Sequence, residues 1–429
     1  MVAPRSKAPR TRRIARRQPD DWSPRNADQT PASQVACAVR VAIVHDWLDT
    51  WRGGECTLAE ICSTYGDAQL FALVDFLSDA DRSKLGGRRA VTSFLQRLPF
   101  ARRGFRNLLP LFPRAIESLD VSAFDLVISS SHAVAKGVRT HRGQLHVCYC
   151  YTPMRYAWDL REQYLRQTGM DRGPRGWLVR RTLDRLRAWD RAASERVDHF
   201  IAISQHIAAR IRRCYGREST VIYPPVAAAA ATPAATVAAT PAPDRPPARG
   251  PAYVTVSQLV PYKRVALIVE AFRRLPEREL VVIGDGPERA RIEAIAGPNV
   301  RLLGRVPDRE RDRWLAGARA FVFAAEEDFG IAPLEAQSAG TPVIALARGG
   351  ALETIRGLDD AAPTGVLYAD QTADAIVDAL HAFEANQARI QSPACVENVR
   401  RFDPQRFRRE LAGFVDARWT EFAGRRALQ

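Results

Sequence analysis

The chain has 429 residues, of which 46% are hydrophobic and 26% are charged, and it carries a formal net charge of +15. This length exceeds that of one compact core and predicts two domains of a soluble globular protein. Part of the charge lies in residues 1–37, which we predict to be a disordered basic tail; since they contain no aromatic-studded basic repeat or recognition motif, we expect no nucleic-acid partner.

Cysteines and apolar runs give an expectation for the cellular location. The seven cysteines are an odd number without a Cys-x-x-Cys pair, so we expect a reducing compartment with no disulfide framework and no zinc site. No run is apolar enough for a signal peptide or a membrane span. The sequence therefore predicts a soluble or peripheral cytoplasmic protein.

The first predicted domain, residues 38–225, opens with the apolar strand RVAIVHDW at 40–47. Gly53 and Gly54 follow in WRGGE, where two glycines bring backbone amides close to an acceptor or a phosphate, although most such pairs are plain turns. His132 ends the strand FDLVISSSH at the edge where parallel sheets bind ligands. A structural histidine is the alternative interpretation.

A basic, apolar-rich segment lies between these motifs. Residues 94–116 read FLQRLPFARRGFRNLLPLFPRAI, with five arginines and no acid. We expect this segment to lie on an anionic membrane surface. The alternative is that its apolar residues pack into the first domain while its arginines remain solvated.

A change in composition divides the chain. Residues 226–250 are rich in Ala, Pro and Thr, cannot bury a core, and are predicted to be an interdomain linker. Residues 251–402 alternate apolar strands with helices and form the second predicted domain, and residues 403–429 supply a final helix, expected over 404–423. The pattern predicts an α/β fold with two Rossmann-like domains whose parallel sheets face a central cleft.

The run EDFGIAPLEAQSAGTPVIALARGG at 327–350 is the most informative for function. We predict a helix that starts near Pro333 and turns its free N–H groups and positive end towards an anion such as a diphosphate. Gly330, between Phe329 and Ile331, lets the backbone approach a ligand closely. Glu327 and Glu335 are suited to hold hydroxyl pairs of a sugar and a ribose, and an ordinary helix start with acidic residues is the alternative.

Other glycine turns and one lysine follow strands of the second domain. Lys263 follows VSQLV, where its ammonium group would neutralise a leaving diphosphate, and an ordinary solvated lysine is the alternative. Gly284 lies in GDGPE, which lacks the dinucleotide-binding spacing. Gly350 is the last residue of the motif at 327–350. Glu353 is placed to orient Arg348 or to close the nucleotide pocket.

Seven segments resemble the retaining glycosyltransferases of family four, which have the GT-B fold, and the resemblance extends from about Val39 to the C-terminus. The segments are RVAIVHDWLDTWRGGE (40–55), FDLVISSSHAVAKG (124–137), CYCYTPMRYAWD (148–159), FIAISQHIAARIRRCYG (200–216), VIYPPV (221–226), VSQLVPYKR (256–264) and VVIGDGPE (281–288). The resemblance implies that Glu327 lies by the donor sugar and that Glu335 binds the ribose. Glu327, Lys263, His132 and Tyr151 form the predicted catalytic set. The resemblance also implies that the last helix, at 404–423, crosses back to the first domain.

Two residues depart from the family pattern. Tyr151 stands where relatives carry a histidine next to the donor sugar, and Gln258 stands where they carry an arginine that pairs with the diphosphate. A phenol has an unperturbed pKa of about 10 and cannot replace a histidine's proton chemistry near neutrality. Gln258 supplies hydrogen bonds without charge, so we expect Arg264 or Arg348 to compensate.

The resemblance implies a retaining hexosyltransferase that moves mannose from GDP-mannose to a lipid-linked or polysaccharide acceptor in cell-surface glycan synthesis. No metal or other cofactor is expected. The alternatives are a degenerate relative that binds nucleotide sugar as a subunit and a nucleotide-sugar epimerase on the same fold.

Overall fold

The structure is a computed structural model that describes residues 39–159, 165, 173–226 and 250–427. The predicted basic tail and residues 227–249 of the predicted linker lie outside the described residues. Two parallel sheets organise the described part of the chain, each covered by helices. The predicted α/β class is confirmed.

The first sheet has seven strands in the order β3-β2-β1-β4-β5-β6-β7. These strands are β1 Val41–His45, β2 Gln69–Ala72, β3 Val91–Thr92, β4 Leu126–Ser131, β5 Leu145–Cys150, β6 His199–Ala202 and β7 Ser219–Val221. Ile43 at the centre lies opposite Leu70 on one side and Ile128 on the other. Every residue of β1, β4 and β5 is buried, as expected for strands that helices cover on both faces.

The second sheet has six strands in the order β10-β9-β8-β11-β12-β13. They are β8 Tyr253–Val256, β9 Leu280–Ile283, β10 Val300–Gly304, β11 Phe321–Phe323, β12 Val343–Leu346 and β13 Gly365–Tyr368. All pairings are parallel, so the carboxyl ends of the strands share one edge. In parallel sheets this edge carries the ligand-binding loops.

Helices connect the strands. The α-helices are Gly53–Thr64, Asp79–Lys84, Ala101–Gly104, Phe112–Glu117, Gly173–Ser194, Gln205–Tyr215, Val265–Arg273, Arg289–Ile295, Asp308–Gly317, Ile331–Ser338, Ala351–Thr354, Ala373–Asn386, Ser392–Val399 and Pro404–Ala427. Short 3-10 helices are Phe94–Arg97, Phe105–Leu111, Ala135–Gly137, Pro261–Lys263, Gln387–Arg389 and Arg400–Phe402. Among the described residues, none of the helices combines the length and the apolar character needed to cross a bilayer.

The last helix returns to the first domain. Its residues Phe407, Leu411 and Val415 are completely buried in the core of the first sheet. The Phe407 ring meets Tyr149 of β5 edge-on, with 5.5 Å between the ring centroids. The helix runs four residues beyond the end expected from the sequence, and its packing ties the end of the chain to the first domain.

Several apolar side chains of the basic segment 94–116 pack as the alternative interpretation expects. Leu95, Phe105, Phe112 and Ile116 are buried in the core of the first domain, so the segment does not lie as a whole on a surface. Burial of these four side chains in the core removes their apolar area from water, so they gain no further hydrophobic free energy from a membrane. Arg97, Arg102, Arg103, Arg106 and Arg114 remain exposed.

Candidate active site

A cleft of about 650 Å³ lies between the carboxyl-terminal edges of the two sheets. The first domain lines it with Arg52, Gly53, Arg155 and Ile203. The second domain supplies loops that follow β8, β9, β10 and β11. The cleft brings together these residues predicted from the sequence: Gly53, Gln258, Lys263, Gly284, Glu327, Phe329, Gly330, Ile331 and Glu335.

The turn after β11 forms one wall of this cleft. The helix starts at Ile331, two residues before the predicted start, because Gly330 adopts a left-handed conformation with φ of 89° and turns the chain there. Ile331 and Ala332 in the first turn line the cleft. Free N–H groups of a helix start therefore lie beside the cavity, which favours an anionic ligand.

Lys263 and Glu327 form an ion pair inside the cleft. The ammonium group of Lys263 contacts Oε1 of Glu327, and the two side chains are 18% and 17% exposed. Burial lowers the pKa of Lys263 to about 8, with a further contribution from the positive charge of Arg155. The Asp328 carboxylate acts in the opposite direction. With a pKa of about 8, Lys263 is mostly charged at neutral pH.

Glu335 lies in the second turn of the same helix and also lines the cleft. Burial raises the pKa of its carboxyl group above the usual range, and the nearby Arg311 partly offsets that effect. Glu327 precedes the helix and Glu335 follows its first turn, and both side chains line the one cavity. This arrangement suits a ligand with two separate hydroxyl-bearing groups.

The positive charges of the cleft differ from those expected. Gln258 lines the cleft, but Arg264 lines an adjacent cavity of about 340 Å³ and Arg348 lines neither. The arginines that line the cleft are Arg52, Arg155, Arg305 and Arg311. Sequence reasoning missed Arg52 and Arg155 although both lie inside quoted motifs, WRGGE and CYCYTPMRY.

The hydroxyl group of Tyr151 is engaged within the first domain. It donates to the carbonyl oxygen of Gly54 at 2.9 Å and lies 3.0 Å from Oγ of Ser130. Burial raises the pKa of Tyr151 far above its usual range. Tyr151 and Gly54 are absent from the cleft lining, and Tyr151 instead fixes the turn that carries Gly53 into the cleft.

His132 follows β4 at the same edge of the first sheet but is also absent from the cleft lining. Its Nδ1 lies 2.9 Å from Oδ2 of the completely buried Asp46, and its side chain is 33% exposed. The Trp47 ring meets it edge-on at 4.5 Å. Asp46 is a third residue that sequence reasoning missed.

Contacts between the domains surround the turn after β11. Asp328 accepts hydrogen bonds from Arg155 at 2.8 Å and from Arg210 at 2.5 Å, both on the first domain. Glu353 accepts from the backbone N–H groups of Gln205 and His206, and so caps the first-domain helix Gln205–Tyr215 rather than orienting Arg348. The cleft is thus held between two domains in contact.

Gly350 supports the turn from behind. Its N–H group donates to the carbonyl oxygen of Glu327 at 2.8 Å. A Cβ atom at Gly350 would approach the Phe329 carbonyl oxygen to 2.3 Å, so a side chain there would displace the turn. Gly350 therefore acts on the cleft through its backbone.

Two parallel sheets whose carboxyl ends face one cleft, with a last helix that returns to the first domain, define the GT-B class. The Anabaena protein Alr3699/HepE in complex with UDP matches 88% of this chain and 100% of its own, with a TM-score of 0.59 and 16% identity. Sucrose-phosphate synthase from Thermosynechococcus elongatus matches 89% of this chain and 100% of its own, with a TM-score of 0.60 and 18% identity. At such low identity these similarities establish the fold.

Sequence models of two families together cover most of the chain. The model of Glycosyltransferase Family 4 matches residues 66–229, and that of Glycosyl transferases group 1 matches residues 240–402. The chain belongs to the group 1 glycosyltransferases of family four.

Curated relatives match shorter stretches. The GDP-mannose-dependent monoacylated alpha-(1-6)-phosphatidylinositol monomannoside mannosyltransferase of Corynebacterium glutamicum is 32% identical over 120 residues, which are 24% of this chain and 32% of the relative. The phosphatidyl-myo-inositol mannosyltransferase of Propionibacterium freudenreichii is 40% identical over 72 residues, 16% of this chain and 17% of the relative. The chain therefore matches a third or less of the length of these relatives.

Proposed function

We propose that the protein transfers a hexose from a nucleotide sugar to an acceptor with retention of the anomeric configuration. The observation that carries this proposal is the presence of Lys263, Glu327 and Glu335 in one interdomain cleft beside a helix start. Mannose from GDP-mannose is the proposed donor, supported by the mannosyltransferase names of two matching relatives. The proposed acceptor is a lipid-linked or polysaccharide glycan at the inner face of the cytoplasmic membrane.

In the proposed reaction the chain supplies position and charge. Lys263, with Arg52 and Arg155 across the cleft, neutralises the diphosphate as it departs, and a fixed cation at that point stabilises the transition state. The departing phosphate takes the proton of the attacking hydroxyl on the same face of the sugar, so no nucleophile of the protein is needed. The proposal requires no metal ion.

Glu335→Ala is expected to weaken the binding of GDP by about 10-fold or more, because the carboxylate proposed to hold the ribose hydroxyl pair is lost. Glu327→Ala is expected to leave GDP affinity within about threefold and to lower turnover instead, because this residue is assigned to the sugar. Isothermal titration with GDP and steady-state release of GDP from GDP-mannose separate the two effects.

Glu293→Ala is the matched control for this pair, since Glu293 is a half-exposed helical glutamate paired with Arg289 and does not line the cleft. Glu293→Ala should change neither the affinity for GDP nor the turnover. Equal GDP affinity in the wild type and in Glu335→Ala would remove Glu335 from the ribose site.

The affinity for GDP is expected to fall as the pH rises through about 8. The pKa of Lys263 is lowered to about 8. The side chain is therefore still mostly charged at pH 7, and it loses its charge as the pH passes about 8. Calorimetric titration between about pH 7 and about pH 9.5 measures the change, and Lys263→Arg should keep its affinity to higher pH because an arginine stays protonated. Constant affinity of the wild type across this range would refute a charged role for Lys263.

We further propose that the first domain docks on an anionic bilayer through a small tip formed by Phe94 and Phe100. Phe100 is 86% exposed and Phe94 41% exposed, and Phe100 adopts a left-handed backbone with φ of 62° that is unusual for a bulky residue. The five exposed arginines of segment 94–116 surround this tip in sequence. Each basic residue near such a surface contributes roughly 1 kcal/mol of attraction.

The double variant Phe94→Ser/Phe100→Ser is expected to reduce co-sedimentation with phosphatidylglycerol vesicles at low salt several-fold, because it removes the apolar contacts and leaves the charges unchanged. All proteins retain residues 1–37, so the basic tail contributes equally. Leu178→Ser, which removes another largely exposed apolar side chain, is the control and should sediment like the wild type. Undiminished sedimentation of the double variant would refute docking through this tip.

A further inference from the structure

A completely buried carboxylate stands at the carboxyl end of β1. Asp46 accepts hydrogen bonds from four consecutive backbone N–H groups, those of His132 and Ala133 to Oδ2 at 2.6 and 3.0 Å and those of Val134 and Ala135 to Oδ1 at 2.5 and 2.7 Å. Its Oδ2 also lies 2.9 Å from Nδ1 of His132. One carboxylate therefore fixes both the turn after β4 and the imidazole that the turn carries.

The imidazole of His132 has only one nitrogen left for a ligand. Nδ1 is used by Asp46, and the Trp47 ring holds the imidazole plane edge-on at 4.5 Å. The side chain is one-third exposed at the carboxyl-terminal edge of the first sheet, outside the cleft lining. The centroid of the Tyr151 ring lies 6.3 Å from that of His132. The Tyr151 hydroxyl donates a hydrogen bond to the carbonyl oxygen of Gly54, and the preceding residue, Gly53, lines the cleft.

We propose that Asp46 is a positioning residue that holds His132 as an imidazolium, whose Nε2–H serves as a charged hydrogen-bond donor to an oxygen of the substrate during sugar transfer. This inference rests on the proposed function. A histidine held by a carboxylate through Nδ1 has its tautomer and orientation fixed, as catalytic and metal-binding histidines often do.

The charges around His132 favour the imidazolium. Burial alone would lower the pKa of His132, but the Asp46 carboxylate reverses that effect and raises it above the usual value, with help from Glu55 on the helix Gly53–Thr64. Lys136, in the turn that follows, acts in the opposite direction. His45 lies 6.1 Å away between ring centroids, with its Nδ1 3.0 Å from Ser130 and its Nε2 3.9 Å from Glu55.

His146 in the same domain provides an internal contrast. It is completely buried on β5, its Nε2 lies 2.9 Å from Oγ of Ser129, and its Nδ1 lies 3.2 Å from the carbonyl oxygen of Arg196. With no carboxylate on its ring, burial lowers the pKa of His146 to about 4. His132 differs from His146 in carrying the Asp46 carboxylate on its ring and in being one-third exposed.

The first test measures the proton on His132 without any substrate. Exchange of the imidazole Cε1 hydrogen, followed by mass spectrometry of the full-length protein as a function of pH, yields a pKa for each histidine. His132 should titrate above about 6.5, the value for an unperturbed histidine, and His146 well below it. A His132 pKa at or below about 6.5 overturns the proposal.

The second test measures what the charge does. His132→Gln should lower the release of GDP from GDP-mannose at neutral pH by about 100-fold, by analogy with the loss of one preorganised donor. As the pH rises through the range in which His132 and Lys263 lose their protons, the wild-type rate should fall with the loss of two protons and the variant rate with the loss of one. His141→Gln is the control, because the exposed His141 precedes β5 at the opposite edge of the sheet.

A wild-type rate and pH profile in His132→Gln would overturn the proposal. Asp46→Asn should bring the His132 pKa down, but its amide group would face backbone donors and weaken folding, so the proposal is judged on the wild type and on His132→Gln. If the wild type releases no GDP at any pH, the donor in the proposed function fails, while the exchange measurement still decides whether Asp46 holds an imidazolium.

Discussion

Lys263→Met is expected to lower turnover of the nucleotide sugar by about 100- to 1,000-fold, the usual cost of removing one charge-stabilising group from a transition state. Gln258 also lines the cleft but carries no charge, so the proposed reaction relies on Lys263, with Arg52 and Arg155, to neutralise the departing diphosphate. The loss of Lys263 also leaves Glu327 without the cation it contacts. Single-turnover release of GDP from GDP-mannose measures the effect.

The control for this variant is Arg301→Met, which removes an exposed cation near the amino-terminal end of β10, away from the cleft. It should retain the wild-type rate, and Lys263→Arg should recover part of the loss because it restores the charge. A Lys263→Met variant within threefold of the wild type would contradict the assignment of Lys263 to the departing group.

Asp190→Ala is expected to lower the free energy of unfolding by roughly 3 to 5 kcal/mol, because it leaves a buried ammonium group without its counter-charge. Lys136 and Asp190 are both completely buried, with 2.5 Å between Nζ and Oδ1. Asp190 also accepts hydrogen bonds from Trp158 at 2.8 Å and Tyr215 at 2.7 Å, so one carboxylate holds three elements of the first domain. Urea unfolding monitored by circular dichroism measures the loss.

Removing both charges provides the diagnostic comparison. Lys136→Met/Asp190→Leu should recover much of the stability lost in Asp190→Ala, since an apolar pair avoids the cost of desolvation. Asp374→Ala breaks a largely exposed ion pair with Arg274 and should cost at most about 1 kcal/mol. If Asp190→Ala costs no more than Asp374→Ala, the buried pair does not stabilise the domain as inferred.

The sequence predicted the sheets well because their signal is local. The uninterrupted apolar run at Val41–His45 identifies a strand covered on both faces, and Gly330 marks the turn into a helix. The start of that helix was wrong by two residues, because a proline is as compatible with the third helical position as with the first. Pattern alone does not separate these positions.

The site was predicted less completely, for physical reasons. The partners of Asp46 are backbone N–H groups that lie 86 to 89 residues further along the chain, and no local pattern reveals such a contact. Loop geometry likewise sets where the side chains of Arg155 and Arg264 lie. Arg155 lines the cleft, and Arg264 lines the adjacent cavity. The sequence left two interpretations of segment 94–116 open because burial in a core and burial in a membrane select the same apolar residues.

Two alternative functions give distinct results in one assay. A nucleotide-sugar-binding subunit would bind the donor without releasing GDP, whether or not acceptor is present. An epimerase would convert the nucleotide sugar into its isomer without an acceptor. The proposed transferase releases GDP slowly to water and faster to a glycan acceptor.

Calorimetric titration of the full-length protein with a panel of nucleotide sugars, followed by analysis of the products, tests the proposed function most directly. We predict that GDP-mannose binds with a dissociation constant in the range of about 1 μM to 1 mM that is usual for enzyme substrates. We also predict that binding weakens in Glu335→Ala and that the transferred sugar keeps its α configuration. If no nucleotide sugar binds the wild type at about 1 mM, or if Glu335→Ala binds as well as the wild type, the cleft is not the donor site and the account is wrong.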